Sequence, residues 1–418
     1  MSLSLTDEEA AWLGGDAGDG RAMAMRVLAE AARFLGADQL IEISSAHIDS
    51  CLYHGDGGVL FAEKLAGGGA GVAVPATLNV GALDLGNPGR VRGDAHYLAM
   101  ARRQMDAYLE MGCRPSWTCA PYQAGHRPAA GAQVAWGESN AIAFVNSVLG
   151  ARSERYGDFL DICCAVAGRA PFVGLHRTQN RAARLVLDVS GLSPALRELE
   201  AFYPVLGALL GREAGSAVAA VTGLPATLGE DRLKAMGAAA ASTGTVGLFH
   251  VVGVTPEAPT LEAALQGAAA ERRIDVTAEM IRAARDGLSD GGDGPLDCVA
   301  LGSPHFSEAE TRELVRLSEG ASFRVPVYVC TGRHVIERIE ADGTRRQLEA
   351  RGVEFVVDTC VVVTPILAGI DGLMMTNSAK FAHYARPNTG YGVVFGSLAD
   401  CVASAAAGRV TRDEAAWR

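Results

Sequence analysis

The chain has 418 residues, of which 49% are hydrophobic and 20% are charged, a balance typical of a folded globular protein rather than a disordered one. Its 37 basic and 48 acidic residues give a net charge of −11 with no basic block, which argues against nucleic acid or an anionic membrane surface as a partner. No apolar run reaches the roughly 18–20 residues that cross a bilayer, and the N-terminus lacks the basic segment of a secretion signal. We therefore expect a cytoplasmic protein with no membrane partner.

Helical and strand patterns alternate in the first part of the chain. A helix is expected to begin after Thr6, which has Glu9 three residues on and so forms a capping box, and an alanine- and methionine-rich helix covers 20–36. Residues 39–48 are predicted as a strand that runs into a polar loop, and 58–80 as a helix, a glycine stop and a strand. Because the "GGGAG" motif follows a helix, it is predicted as a helix end rather than a phosphate-binding loop.

The same alternation continues through the rest of the chain. The alanine-rich middle, 195–290, is predicted to be mostly helical, with a buried strand within 245–259. A strand, a loop and a helix are predicted in 296–314, the helix capped by Ser307 with Glu310 at its third position. Two further strands carry "VPVYVC" and "GVEFVVDTC". This alternation predicts an α/β fold with mostly parallel sheets.

The nine cysteines are an odd number, which fits free thiols in a reducing compartment better than a disulfide framework. They form no CxxC pair and no zinc-finger spacing, so any metal site would be assembled from separate loops. Cys119 lies between two prolines in "RPSWTCAPYQAG", where a nucleophile, a metal ligand and a buried apolar residue all remain open. Five others are interpreted as packing residues: Cys113, Cys163, Cys164, Cys330 and Cys401.

Polar and reactive side chains concentrate where the predicted strands end, which is the edge of an open α/β sheet at which ligands bind. These loops hold Ser45, His47, Asp49, Cys51, Thr77, Asn79, Cys119, Glu138, Ser139, Asn140, Arg152, Cys360, Asn377, Ser378 and Lys380. Several of them also have a structural interpretation. His47 could be a hydrogen-bonded core residue, and Arg152 and Lys380 could form surface ion pairs. Ser139 and Asn140 could cap a helix that starts at Ala141.

From the residues alone, three kinds of chemistry stay open. An iron–sulfur cluster held by three thiolates would leave one iron free to act as a Lewis acid toward a hydroxyl or a carboxylate. A cysteine-nucleophile hydrolase or transferase would instead pair one thiol with a histidine. A non-catalytic, redox-sensing role for the thiols is the third possibility.

Six long strings are spread from about residue 5 to beyond residue 400: "SSAHIDSCLYHGDGG", "VAVPATLNVGALDL", "SWTCAPYQ", "WGESNAIAFVNSVLGARSERYGD", "LGSPHFS" and "TNSAKFAHYA". Together they resemble the aconitase X family, a remote branch of the aconitase superfamily. The resemblance implies an aconitase-like α/β fold of three lobes packed around an iron–sulfur active site, with lobe boundaries guessed near residues 125 and 290. It also implies a hydro-lyase that converts cis-3-hydroxy-L-proline to Δ1-pyrroline-2-carboxylate, because two of the strings resemble the bacterial form. Mevalonate 5-phosphate is the alternative substrate.

The same resemblance implies which residues hold the cofactor. Cys119 and Cys360 fall in motifs that carry cluster ligands in the family. Archaeal-type members have a third cysteine before the Pro-His pair, but Ser303 occupies that position here. Cys51, in a polar loop, is therefore predicted as the third ligand ahead of Cys298, which lies in the apolar "LDCVAL". The expected cofactor is a [2Fe–2S] cluster, with mononuclear iron as the alternative.

Enzymes of this kind also need a small swivelling domain, which supplies a serine alkoxide as general base. The 418 residues leave no room for that domain, so we expect a separate small subunit as partner, a base outside this sequence, and a small hydroxy-amino acid as substrate. His47 and Lys380 are predicted to be catalytic. The predicted substrate-binding residues are Ser45, Thr77, Asn79, Ser139, Asn140, Arg152, Asn377 and Ser378.

Overall fold

The computed structural model describes residues 3–369 and 371–417, and these divide into two compact units. The first unit holds the chain up to Leu83 together with Gly93–Ala182. The second holds Asp84–Arg92 and the chain from Ala183 onward. Both units contain helices and mainly parallel sheets, so the predicted α/β class is confirmed.

The first unit is built on a parallel three-stranded sheet in which β2 lies between β3 and β4. A second, antiparallel pair joins β1 and β5. The elements, in chain order, are α1 Asp7–Gly14, α2 Asp19–Phe34, β1 Leu40–Glu42, β2 Ala46–Ile48, α3 Asp56–Gly67, β3 Ala76–Leu78, α4 Ala95–Glu110, β4 Ala135–Trp136, α5 Ser139–Ser147, α6 Leu160–Ala167 and β5 Arg169–Pro171.

The second unit contains two parallel sheets, with strand orders β8-β7-β6-β9 and β12-β11-β10-β13-β14. Its elements, in chain order, are β6 Leu185–Asp188, α7 Pro194–Glu198, α8 Phe202–Ala214, β7 Ala219–Thr222, α9 Glu230–Thr243, β8 Phe249–Val251, α10 Leu261–Ala264, β9 Arg272–Asp275, α11 Ala278–Asp286, β10 Cys298–Phe306, α12 Glu308–Leu317, β11 Val327–Thr331, α13 Arg333–Ala341, α14 Thr344–Glu349, β12 Val353–Val357, β13 Leu373–Thr376, α15 Ala379–Thr389, β14 Gly392–Phe395 and α16 Leu398–Ala407.

The core of the second unit follows the five-stranded sheet. Apolar side chains from its strands, including Val299, Val329 and Phe355, form one buried cluster with helices of both faces. A parallel strand that is covered on both faces has an almost continuous apolar sequence. For this reason "VPVYVC" and "GVEFVVDTC" could be predicted as strands. The carboxyl ends of these strands lie at one edge of the sheet, where the loops that follow them carry the predicted site residues of this unit.

Two expectations about secondary structure are corrected. A loop is expected between the strand and the helix of 296–314, but β10 continues to Phe306, directly before the helix cap Ser307, with an irregular register after Leu301. The middle of the chain contains three strands as well as helices, because β7, β8 and β9 are short elements in an alanine-rich context. The strand expected within 245–259 is confirmed as β8.

Both predicted capping boxes are confirmed. The Thr6 hydroxyl accepts the N–H of Glu9 at 3.2 Å, and the Glu9 carboxylate accepts the N–H of Thr6 at 3.0 Å. Ser307 and Glu310 make the same reciprocal pair at the start of α12, at 3.1 and 2.8 Å. Each pair satisfies two backbone donors that the first helical turn leaves unpaired.

Replacing Ser307 by Ala removes one side of the α12 capping box and is expected to lower the free energy of unfolding by about 1 kcal/mol. Urea unfolding followed by circular dichroism measures this change. Ser307→Thr keeps the hydroxyl and is the matched control, so it should stay near the wild-type midpoint. An Ala variant with the wild-type midpoint would contradict the assigned role of the cap.

Candidate active site

The parallel sheet of the first unit brings three of the predicted polar loops to one edge. His47 lies in β2, in register with Thr77 of β3 and Trp136 of β4. Because parallel strands end on the same side, the residues that follow them, Asn79 after β3 and Glu138 after β4, lie beside the loop after β2. This edge, which we call the carboxyl edge of the first unit, is the candidate active-site region of that unit.

Glu138 is the centre of a hydrogen-bond network at this edge. Its carboxylate accepts the backbone N–H of Asn140 at 3.1 Å, the Asn140 side-chain amide at 2.7 Å, and the Ser139 hydroxyl at 3.3 Å. It also accepts the side-chain amide of Asn79 at 3.3 Å, and the same amide donates to the carboxylate of Asp49. The predicted residues Asn79, Ser139 and Asn140 are therefore brought together. Sequence analysis left Glu138 out of the predicted site, although it lies in the same loop.

The start of α5 differs from the structural interpretation of Ser139 and Asn140. The helix begins at Ser139, not at Ala141, and its N-cap is Glu138, whose carboxylate accepts the N–H of Asn140. The interpretation that Ser139 and Asn140 cap a helix starting at Ala141 is therefore wrong. Their side chains instead belong to the network around Glu138.

Burial raises the pKa values of two carboxyl groups at this edge, Asp161 and Asp49. Asp161 of α6 accepts the backbone N–H groups of Asp49 and Ser50 and the Ser50 hydroxyl. Burial raises the pKa of Asp161 to about 6. Burial, followed by the nearby charge of Glu138, also raises the pKa of Asp49 well above its usual value. Carboxyl groups with raised pKa values are suited to proton exchange near neutral pH.

Two histidines share the hydroxyl of Thr77. His47 Nδ1 lies 2.9 Å from Thr77 Oγ1, which lies 2.7 Å from Nδ1 of His126. Burial, then the proximity of His126, lowers the pKa of His47 to about 3. Burial, then the charge of Arg114, lowers the pKa of His126 to about 4. Sequence analysis missed His126, which lies in a loop outside the strand-end motifs.

The structure does not bring every predicted residue of this unit into the network. The hydroxyl of Ser45 is buried and has no hydrogen-bond partner among the described residues. The Arg152 guanidinium donates to the His176 carbonyl at 3.3 Å and to the Thr178 hydroxyl at 2.7 Å. Its backbone pairs with Gln133, just before β4 begins. Arg152 thus lies at the amino end of the sheet, away from the carboxyl edge.

In the second unit, Cys360 follows the carboxyl end of β12 and is buried. A hydrogen bond from Cys330 is the largest influence on its pKa, and it lowers the pKa against the opposing effect of burial. The Val362 N–H, the Lys380 charge and Ser303 act in the same direction, so the pKa of Cys360 is below its usual value. This environment favours a thiolate, which is the form that binds iron. The interpretation of Cys330 as a packing residue alone missed this hydrogen bond.

The remaining predicted residues of the second unit lie close to the same edge. Ser378 is the N-cap of α15, accepts the N–H of Phe381 at 3.0 Å and donates to the carbonyl of Ser303. Asn377 and Ser378 border a cavity of about 240 Å³ that is also lined by Ser303 and Lys234. Lys380 is the charged neighbour of Cys360. Cys360 follows β12, and Asn377, Ser378 and Lys380 follow β13, so all four lie beyond the carboxyl ends of strands of the same parallel sheet.

Lys234 is a buried cation that sequence analysis missed. Its ammonium donates to Asp231 at 2.9 Å, to the His305 carbonyl at 3.3 Å, and to the carboxylate of Glu310. Burial alone would lower the pKa of Lys234, but the charges of Glu310 and Asp231 outweigh it and raise the pKa. Lys234 is therefore a permanent positive charge beside the cavity.

Two of the other three cysteines considered as ligands, Cys51 and Cys298, have environments that favour the neutral thiol. Cys51 Sγ donates to the carbonyls of Ile48 at 3.3 Å and Asn79 at 3.5 Å, and burial raises its pKa well above the usual value. Cys298 begins β10, at the end of the strand away from Cys360, and burial raises its pKa to about 12. Within the described residues no group of three His, Cys, Asp or Glu side chains is arranged to hold a metal ion. Of these three thiols, Cys360 has the environment that favours the thiolate, whereas the surroundings of Cys51 and Cys298 favour the neutral thiol.

Family models match almost the whole chain: the aconitase X first domain at residues 2–179, the second domain at 183–286 and the third domain at 296–407. The chain belongs to the aconitase X family. Its fold matches the crystal structure of Thermococcus kodakaraensis aconitase X in the holo form, with a TM-score of 0.86 and 30% identity over 96% of this chain and 100% of that one.

Named relatives of this family member are dehydratases. It is 42% identical to the cis-3-hydroxy-L-proline dehydratase of Pseudomonas aeruginosa, over 97% of this chain and 70% of that protein. The cis-3-hydroxy-L-proline dehydratase of Hypocrea jecorina is 40% identical, over 98% of this chain and 69% of that protein. The phosphomevalonate dehydratase large subunit of Methanothermobacter thermautotrophicus is 36% identical, over 91% and 93%. The chain is accordingly an enzyme of the hydro-lyase class. None of its described helices is both long enough and apolar enough to cross a membrane.

The lowered pKa of His47 predicts a pH-dependent contribution to stability. Between pH 6.5 and about 3, His47 binds a proton in the unfolded chain but not in the folded one, so it lowers the free energy of unfolding by about 1.4 kcal/mol per pH unit as the pH falls. His47→Asn removes this contribution and should give a shallower decline between pH 6 and pH 4. Urea unfolding at several pH values measures both slopes, and equal slopes would contradict a neutral buried His47.

Proposed function

We propose that this aconitase X protein dehydrates cis-3-hydroxy-L-proline to Δ1-pyrroline-2-carboxylate. The observation that carries the proposal is the 42% and 40% identity over nearly the whole chain to two cis-3-hydroxy-L-proline dehydratases. The phosphomevalonate dehydratase large subunits reach 31–36%. Arg152, the cation predicted to bind substrate, is instead engaged with His176 and Thr178.

The reaction needs three things from the enzyme: removal of the Cα proton, departure of the C3 hydroxyl, and a hold on the carboxylate as charge develops on it. His47 is the proposed donor of the proton that the leaving hydroxyl takes. Asn79, Ser139 and Asn140 are proposed to orient the substrate, because their amides and hydroxyl already converge on Glu138. Ser45 and Thr77 remain predicted substrate-binding residues in the same unit.

In the second unit, the proposed role of Lys380 is to stabilise negative charge. Its ammonium acts on the Cys360 thiolate, and a cation in this position also suits a substrate carboxylate as the carbanion forms. Asn377 and Ser378 border the adjoining cavity and are proposed to donate or accept hydrogen bonds there. The general base that takes the Cα proton is expected outside this sequence.

The proposed cofactor is an iron–sulfur centre, with Cys360 as a thiolate ligand. When bound, such a centre supplies a Lewis acid for the leaving hydroxyl. The [2Fe–2S] form is the expected one, with mononuclear iron as the alternative. Cys119 remains a ligand predicted from the family resemblance, as does Cys51. The environment of Cys51 favours a neutral thiol, so Cys330, hydrogen-bonded to Cys360, becomes the stronger candidate for a further ligand.

A small subunit is the proposed partner. The chain covers 93–98% of relatives named as large subunits but 69–70% of the two cis-3-hydroxy-L-proline dehydratases, which supports a function divided between this part and another. A cytoplasmic location is proposed as well, because all nine cysteines are free thiols, as expected in a reducing compartment.

The substrate proposal predicts turnover of cis-3-hydroxy-L-proline by protein purified without oxygen and co-expressed with its small subunit. Ketimine product would be followed spectroscopically, with mevalonate 5-phosphate as the competing substrate. Turnover of the phosphorylated compound alone would replace the first proposal with the second. Loss of activity on iodoacetamide treatment, with no response to added iron, would favour a thiol nucleophile. Reversible thiol oxidation without any turnover would favour the redox-sensing role.

The ligand proposal predicts that Cys360→Ser loses its iron while remaining folded, because a hydroxyl does not replace the thiolate. Iron and acid-labile sulfide per chain are measured after anaerobic purification, and circular dichroism confirms the fold. Cys401→Ser makes the same change at a buried thiol whose pKa is raised by burial, so it should keep its iron. Retention of iron by Cys360→Ser would overturn the assignment. The same assay on Cys51→Ser and Cys330→Ser selects between those two ligands.

A further inference from the structure

Thr77 links two buried imidazoles through a single hydroxyl. His47 Nδ1 and His126 Nδ1 lie 2.9 and 2.7 Å from Thr77 Oγ1. All three side chains are buried: His47 is 0% exposed, Thr77 is 3% exposed and His126 is 8% exposed. The ring of Trp136 packs beside both imidazoles, with centroid distances of 5.6 Å to His47 and 5.0 Å to His126. The arrangement is therefore held in place on both sides of the hydroxyl.

The positions of the protons along the hydrogen-bonded row His47–Thr77–His126 are constrained by the chemistry of the three side chains. A threonine hydroxyl has one hydrogen, so it donates to one imidazole and accepts from the other. One histidine therefore carries its proton on Nδ1, and the other has a bare Nδ1. When both rings are neutral, the first has a bare Nε2 and the second an Nε2–H. The two Nε2 atoms together hold one proton.

The surroundings keep both rings neutral near pH 7. Burial is the largest effect on each, and it gives pKa values of about 3 for His47 and about 4 for His126. The neighbouring charges are Glu138, which acts to raise the pKa of His47, and Arg114, which acts to lower that of His126. The mutual influence of the two histidines lowers the pKa of His47 further.

Both Nε2 atoms are buried and have no hydrogen-bond partner among the described residues. A buried polar atom left unpaired is costly, and in native proteins it commonly has a ligand or water as partner. The two Nε2 atoms are the outer ends of one hydrogen-bonded chain, so each is available to a ligand or a water molecule. His47 is fully buried and His126 keeps 8% of its surface exposed, so the His126 ring is the one closer to solvent, although its Nε2 atom is itself buried.

We propose that His47, Thr77 and His126 form a proton relay, in which His47 is the catalytic acid and His126, through the Thr77 hydroxyl, supplies a proton to His47 Nδ1 as His47 Nε2 gives one up. This inference rests on the proposed function, because it assigns the path by which the proton for the leaving hydroxyl is replaced. Thr77 and His126 are positioning residues that act through His47. The prediction that Thr77 binds substrate is thereby refined to a role in proton transfer.

The relay moves one proton without a net change in charge. The leaving hydroxyl takes the proton from His47 Nε2 and departs as water. Thr77 passes its hydroxyl proton to His47 Nδ1 and takes the Nδ1 proton of His126, and a proton from solvent binds His126 Nε2. Both rings end neutral with their tautomers exchanged. The hydrogen-bonded chain is reset when the Cα proton taken up by the general base passes to His47 Nε2: the His47 Nδ1 proton then returns to Thr77, the Thr77 proton returns to His126 Nδ1, and His126 Nε2 releases its proton to solvent.

The first test measures tautomers and does not depend on turnover. The nitrogen-15 chemical shifts of labelled histidine in the full-length chain report the fraction of each ring that carries its proton on Nδ1, with His47→Asn and His126→Asn spectra to assign the signals. The two Nδ1–H fractions should add up to one in the wild type. In Thr77→Val this constraint disappears. Two rings in the same tautomer in the wild type would overturn the relay.

The second test measures kinetics with the small subunit present. Thr77→Val should lower kcat by about 10²-fold, the lower end of what general acid catalysis contributes, with KM little changed. Thr77→Ser restores the hydroxyl and should recover most of the loss. His126→Asn keeps a donor and an acceptor at the Nδ1 position but cannot pass a proton, so it should resemble Thr77→Val.

These outcomes separate the relay from the proposed function. Equal kcat values for Thr77→Val and Thr77→Ser would overturn the relay even if cis-3-hydroxy-L-proline is the substrate. A wild-type chain that does not turn over this substrate would overturn the proposed function, and the tautomer fractions would then decide the relay. Full activity in His126→Asn would show that His126 only supports the structure and would also overturn it.

Discussion

The carboxylate of Asp161 is the interaction on which the carboxyl edge of the first unit depends. It accepts the N–H of Asp49 at 2.6 Å, the N–H of Ser50 at 3.1 Å and the Ser50 hydroxyl at 2.8 Å, and so fixes the turn after β2. A Cβ atom at Gly137 would lie 2.7 Å from Asp161 Oδ2, so glycine is required for the loop after β4 to approach this closely. One fully buried carboxylate thus positions two of the loops that carry the predicted site residues, and its hydrogen bonds offset the cost of its burial.

Features that depend on residues close together in the chain could be predicted from the sequence. Thr6 and Ser307 were recognisable as helix caps because the partner of each hydroxyl is three residues away. The parallel α/β arrangement predicted that residues after successive strands share an edge, and Asn79 and Asn140 do converge on Glu138 there. Such predictions depend on spacing and on the geometry of parallel strands, which a single sequence contains.

The partners that give these residues their chemistry could not be predicted in the same way. Asp161 is 112 residues from Asp49, and His126 is 49 residues from Thr77, so no local pattern joins them. One signal was nevertheless present, because Asp161, the second of the two aspartates in the apolar "DFLDICCAVAG", is costly to bury without donors. For His126 and Cys330 the sequence offers no comparable signal, since a buried histidine or cysteine is common in cores.

Burial acts to raise the thiol pKa of the candidate ligands Cys51, Cys298 and Cys360. The thiols differ in whether hydrogen-bond donors and positive charges nearby oppose that effect. Burial raises the pKa of Cys51 and Cys298, whose sulfurs face carbonyl oxygens or a neighbouring carboxylate. Cys360 is buried to the same degree, but Cys330 and Lys380 outweigh that effect and stabilise the thiolate. Among these three thiols, only Cys360 therefore combines exclusion from water with a lowered pKa. A thiolate is the form that binds a metal. The family resemblance and the thiol environment therefore both select Cys360, whereas only the family resemblance selects Cys51.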